Sequence, residues 1–147
     1  VALVALLVDD ELAAARGETP DASPATRYIT ALAEVLAEPS NELVVAIDAE
    51  GQLAATMQLT RIPGLARRGA TRLQIEAVRV GAQHRAAGLG TAMMQWAMGP
   101  AAVATGSALV QLTSDEQRPD AHRFYERLGF VGSHRGFKWE VGPALRD

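Results

Sequence analysis

The chain has 147 residues, enough for one domain with a buried core, and a composition of 48% hydrophobic and 21% charged residues excludes a disordered chain. The formal net charge of −3, with scattered arginines and Lys138 as the single lysine, argues against nucleic acid as the main partner. Cysteine is absent, which excludes disulfides, thiolate zinc sites and cysteine nucleophiles and is compatible with a cytoplasmic location.

The opening run Val1–Val8 is apolar but far short of the ~20 residues that span a bilayer. It has no basic leader and runs into Asp9-Asp10-Glu11, so neither a membrane span nor a signal peptide is expected. Leu3, Leu7 and Leu12 fall at helical spacing, which predicts an amphipathic helix over 2–16, stopped by Gly17 and Pro20. Ser23-Pro24 predicts the start of a second helix, through about Ala37, with Ser23 as N-cap and Pro24 in the first turn. Leu43–Ile47 and Leu53–Thr60, joined across Asp48-Ala49-Glu50-Gly51, read as a β-hairpin. A polar loop is expected over 61–69, then a long strand over about 70–80.

In that strand Leu73, Ile75 and Ala77 are apolar at odd positions, but Val78 and Val80 at even ones. A β-bulge near residue 77 produces such a phase slip. A strand buried on both faces is the alternative. The helix predicted over 89–104 has no charged residue, so most of its surface should be covered, by a neighbouring segment or by a second copy in a homodimer. Pro100 within it cannot donate to the carbonyl of Trp96, which predicts a kink or break at Gly99-Pro100. Ser107–Thr113 reads as a strand and Pro119–Leu128 as a helix closed by Gly129. Short strands are expected over 130–133 and 137–141. Ser114-Asp115-Glu116 reads as a loop capping the helix that follows. No linker or repeat divides the chain, so one domain over 1–147 is expected.

Two motifs carry chemistry. Arg85-Ala86-Ala87-Gly88-Leu89-Gly90 lies between the bulged strand and a helix start. A helix N-terminus presents unsatisfied N–H groups and partial positive charge, and glycine lets a ligand approach the main chain. The loop lacks the Gly-Lys-Ser/Thr of a P-loop and the third glycine of a dinucleotide fingerprint. A phosphate cradle and a plain tight turn are therefore both open from the loop alone. The second motif is Phe124-Tyr125-Glu126-Arg127-Leu128-Gly129-Phe130. His84, His122 and His134 lack metal-ligand spacing, and no metal site is expected. A Gly-x-Ser-x-Gly nucleophile elbow is also missing, so direct attack is simpler than an acyl-enzyme.

Together, Val-x-Val, Arg-x-x-Gly-x-Gly, a strand and Phe-Tyr-Glu-Arg-Leu-Gly-Phe over Leu73 to Phe130 resemble the GNAT superfamily of acyl-CoA-dependent N-acyltransferases. The resemblance implies an α+β fold, a mixed sheet flanked by helices whose central strands splay apart. The family's usual first strand has no counterpart before the first helix here. Acetyl-CoA is the implied cosubstrate, its pantetheine arm lying in the splay like an added strand. By position, Val78, Arg79 and Val80 would meet the acyl group and pantetheine. Arg85, Ala86, Ala87, Gly88, Leu89, Gly90 and Thr91 would hold the pyrophosphate, with Arg85 adding a charge-assisted contact or standing as a solvated loop residue. Phe124 joins the cofactor-binding positions. So does Arg118, which stands seven residues before the tyrosine, where many members carry an asparagine.

Tyr125 is the implied catalytic acid. Attack on a thioester expels a thiolate, and a phenol, with an unperturbed pKa of ~10, can protonate it. A packing role for the ring is the alternative. Glu76 stands at the implied base position, to take a proton from the attacking amine, or pairs with Arg72 or Arg79 on the strand surface. The acceptor implied is a primary amine of a small molecule or peptide. Asp9, Asp10, Glu11, Glu18 and Asp21 on the first two helices would favour a cationic amine or simply form a solvated face. A CoA-binding regulatory module with little turnover, and a structural partner-binding domain using the uncharged helix, are the competing functions.

Overall fold

The computed structural model describes residues 2–8 and 25–142, which fall into two units, Val1–Leu112 and Thr113–Asp147. The first unit is built on a hairpin. Strands β1 (Asn41–Ile47) and β2 (Leu53–Ile62) pair antiparallel from Asn41 opposite Thr60 to Ala46 opposite Ala55. Asp48 organises the turn: its Oδ1 accepts the N–H of Glu50 at 3.0 Å and of Gln52 at 2.7 Å. An Asx side chain satisfies turn N–H groups in this way where the strands cannot. β2 runs two residues past the expected Thr60, and Ala66–Gly69 form a single turn with Arg67 and Arg68 left-handed.

β3 (Arg72–Val80) adds antiparallel to β2, and β4 (Leu109–Leu112) adds parallel to β3, giving a four-stranded mixed sheet in the order β1-β2-β3-β4. Side chains alternate between its faces. Met57, Leu59, Leu73 and Ile75, all at most 2% exposed, form one core face. The helix α3 (Leu89–Trp96) contacts β3 and buries Met93 and Met94. Each such side chain, fully withdrawn from water, contributes about 1.5–3 kcal/mol. The opposite face carries Leu43, Thr56 and Gln58 toward α1 (Ala2–Val8) and α2 (Ala25–Ala37). Buried Thr56 donates its hydroxyl to the Val44 carbonyl at 3.0 Å.

The first helix is described only to Val8, and the predicted stretch 9–16 with Leu12 lies outside the described residues, as do Asp9, Asp10, Glu11, Glu18, Asp21, Ser23 and Pro24. The kink or break expected at Gly99-Pro100 takes the form of an interruption of the α-helix. The chain keeps helical dihedrals, widens into a π turn over Ala97–Ala101 and resumes α geometry over Ala102–Ala104. A π turn absorbs the missing donor by shifting the ladder one residue.

In the second unit α4 (Pro119–Arg127) starts on proline and closes through Gly129, whose φ of +98° lets the N–H of Phe130 return to the Tyr125 carbonyl at 3.1 Å. The strands expected over 130–133 and 137–141 do not form. Phe137, Trp139 and Val141 keep their alternation, yet are 69–89% exposed. A strand needs a partner edge and a buried face, and among the described residues this segment has neither.

Candidate active site

The phase slip in β3 is a bulge. Gln58 faces Glu76 and Thr56 faces Arg79, so Ala77 and Val78 together oppose Met57. Ala77 has a φ of +51°, which kinks the strand and re-aims its far end. The parallel ladder to β4 ends at Ile75 opposite Leu112, one residue before Glu76. From Glu76 to Val80 β3 keeps β2 on one side and leaves β4 behind. Two carbonyls of this stretch hold arginines: Val78 O accepts from Arg79 Nη1 at 2.9 Å, and Val80 O from Arg85 Nε at 3.1 Å.

Glu76 is exposed and its carboxylate is held by an amide relay. Gln111 Nε2 donates to Gln74 Oε1 at 2.6 Å, and Gln74 Nε2 donates to Glu76 Oε1 at 3.2 Å. Gln74 itself is buried. The relay fixes the carboxylate beside the bulge, because a buried amide keeps its partners. On β2, Gln58 Nε2 donates to Thr60 Oγ1, which donates on to Asn41 Oδ1 at 2.7 Å. A polar row thus crosses the helix-covered face of the sheet at the level of Glu76.

Past Val80 the chain turns through Gly81 and a 3₁₀ turn, Ala82–His84. A Cβ on Gly81 would stand 3.3 Å from the Ala54 carbonyl oxygen, a tight contact that needs a few tenths of an ångström of movement. His84 Nε2 lies 3.3 Å from Asp48 Oδ2, which ties the loop to the hairpin turn. Ala86 (φ +64°) and Gly88 (φ +82°) are left-handed, and Gly88 is the N-cap of α3 with no side chain capping it. The first N–H groups of α3 have no partner in their own helix. A left-handed residue directly before a right-handed helical turn, as Gly88 stands before Leu89, turns successive N–H groups toward one concavity, an anion nest. An alanine held left-handed costs about 1–2 kcal/mol, part of which glycine returns as chain entropy. Ala86→Gly is expected to stabilise the protein by about 0.5–1 kcal/mol, read as a higher Tm.

In the second unit Tyr125 is half-buried on α4, its ring centroid 5.3 Å from that of Phe124 and 6.0 Å from that of Phe130. Arg118 is the N-cap residue and makes no side-chain cap; its N–H donates to the Asp115 carbonyl at 3.1 Å. Asp115 Oδ1 accepts the Gln117 N–H at 2.9 Å, and His122 Nε2 sits 2.8 Å from the Asp115 carbonyl oxygen. Among the described residues no group of three or more His, Cys, Asp or Glu is placed to hold a metal ion.

The structure gathers Glu76, Val78, Arg79, Val80 and the residues from Arg85 to Thr91 along one strand-loop-helix path of the first unit. Phe124 and Tyr125 lie on α4 in the second, with Arg118 at its N-cap. Sequence reasoning missed the Gln74–Gln111 relay and the His84–Asp48 tie. A glutamine amid apolar residues in each of two strands was the available signal for the relay.

A mixed sheet with a parallel pair that parts at a bulge, and a left-handed loop opening the next helix, is an N-acyltransferase architecture. The chain belongs to the acetyltransferase (GNAT) family, whose profile matches residues 6–130. Among solved structures it is similar to a transcriptional regulator from Bacillus halodurans C-125, with 39% identity, a TM-score of 0.85 and coverage of 95% of this chain and 91% of the other. A protein of Agrobacterium tumefaciens strain C58, provisionally described as an acetyltransferase, shows 26% identity and a TM-score of 0.77 over 95% of this chain and 92% of its own. The fold is shared with glucosamine-6-phosphate N-acetyltransferase from Arabidopsis thaliana, at 17% identity and a TM-score of 0.72 over 95% and 88% of the two chains. No curated protein matches the chain. Among the described residues no helix is long and apolar enough to cross a membrane.

Proposed function

We propose that residues 1–147 act as one N-acetyltransferase domain that moves an acetyl group from acetyl-CoA to a primary amine by direct attack. The observation that carries this is the Ala77–Val78 bulge at the point where the β3–β4 ladder stops, followed directly by the left-handed loop at Ala86 and Gly88. An extended arm can lie along a strand that has lost one neighbour. A diphosphate fits a nest of N–H groups at a helix start.

When bound, acetyl-CoA supplies the acyl carbon as a thioester. Glu76 takes a proton from the acceptor ammonium, directly or through water, and so frees the nitrogen lone pair. The backbone N–H groups at the bulge polarise the thioester carbonyl. As the C–N bond forms and the C–S bond breaks, Tyr125 would give its phenolic proton to the departing sulfur, and the second proton of the attacking nitrogen would pass, directly or through water, to the tyrosinate left behind. Arg79 and Arg85, seated on the Val78 and Val80 carbonyls, are cations on the strand and loop proposed to hold the arm and the diphosphate. Acetyl-CoA at about 100 times its Kd should add about 2.7 kcal/mol of stability, seen as a higher Tm, and thiol release should follow on adding an amine. Glu76→Gln is expected to lower kcat about 10²–10⁴-fold and to leave acetyl-CoA binding unchanged in calorimetry; an unchanged kcat removes Glu76 as the base.

A second reading has one observation in its favour: the relative at 39% identity is described as a transcriptional regulator. On that reading the chain binds an acyl-CoA and signals without turnover. A Tm rise with acetyl-CoA but no thiol release across amines, peptides and amino sugars would select it.

A further inference from the structure

Between α1, α2 and the sheet lies a cavity of about 190 Å³. Leu3 and Leu7 of α1 and Ile29 and Leu32 of α2 wall it, and its floor is Thr56 and Gln58 of β2 with Ala77 of the bulge. Among the described residues no charged side chain lines it, and their lining is apolar at the helices and polar at the floor and at Tyr28. The Thr56 hydroxyl is already engaged on the Val44 carbonyl. Gln58 therefore supplies the polar end, with its amide NH₂ on Thr60 and its carbonyl oxygen able to accept. Gln58 is also the cross-strand partner of Glu76.

From this we infer that the acceptor is a primary amine on an uncharged, apolar body about the size of a phenyl ring, the body filling the cavity and the amine reaching its floor beside Ala77. The inference rests on the transferase reading for its word acceptor, but the occupancy of the cavity stands by itself. A cavity of roughly 150 Å³ lined by aliphatic and aromatic groups takes up benzene, so this one has the right volume for a phenyl group. A polyamine would leave a second ammonium among aliphatic walls, and an amino sugar would leave hydroxyls without partners. Both are costly in such a site.

The test separates occupancy from turnover. Calorimetry with the full chain saturated with CoA should show 2-phenylethylamine binding at least about tenfold tighter than spermidine or glucosamine. Leu32→Glu, which brings a carboxylate to the wall, should remove that preference. Ile29→Trp, at an exposed position that tolerates change, should weaken binding by filling space. Equal or weaker binding of 2-phenylethylamine, or binding untouched in both variants, overturns the inference whatever the enzyme acetylates. Tight binding of 2-phenylethylamine without thiol release from acetyl-CoA would uphold the cavity's ligand and count against the transferase reading instead.

Discussion

Replacing Tyr125 by phenylalanine is expected to lower kcat about 10²–10⁴-fold while the KM for acetyl-CoA holds. The substitution removes one hydroxyl and keeps the ring, so the contacts with Phe124 and Phe130 survive. The Tm should then move by no more than the loss of an ordinary hydrogen bond allows, about 0.5–1.5 kcal/mol. Without the phenol the thiolate must leave unprotonated or find its proton in water. If Tyr125 served only to pack, the order of effects would reverse. Tyr125→Phe would run at the parent rate, and only Tyr125→Ala, which deletes two ring contacts at about 0.5–1.5 kcal/mol each, would register, and then in the Tm. Rate and stability measured on both variants distinguish the two roles without any ligand structure.

How much of this arrangement shows in the chain depends on whether the information is local. The bulge was legible because a one-residue insertion flips side-chain parity, and the shift from Leu73 and Ile75 to Val78 and Val80 records that flip in the sequence itself. The Gly88 turn was legible for the same reason: a left-handed residue before a helix is a local demand that glycine meets. Pro100 marked a disturbance correctly but not its form, since the missing donor fixes only that an α bond is lost, and neighbouring packing decides between a kink and a π turn. The relay behind Glu76 joins residues 37 apart across a parallel pair, and parallel register follows from no local pattern. The His84–Asp48 tie is equally remote in sequence. The segment 137–141 shows the converse case. Its alternation states a wish for a partner edge, and the sequence does not contain the information that the described residues leave it without one.

The largest expected effect on binding comes from Gly88, and a matched glycine makes it decisive. Gly88 and Gly106 both have positive φ, +82° and +63°, and a Cβ built on either meets nothing within 4 Å. Alanine at either position should therefore cost the same backbone strain, about 1–2 kcal/mol, and lower the Tm by a similar few degrees. The two differ in what approaches them. Gly106 closes the helix that follows the π turn, its N–H donating to the Val103 carbonyl at 3.1 Å. Gly88 caps the start of α3, where a diphosphate reaching the first N–H groups must pass close to the main chain. A methyl group that touches nothing in the free protein would then stand in the ligand's path. Gly88→Ala is expected to weaken acetyl-CoA binding at least tenfold, about 1.4 kcal/mol, and Gly106→Ala to leave the Kd unchanged. Equal Kd values for both variants and the parent would mean that this turn only starts a helix, and the diphosphate site would have to lie elsewhere.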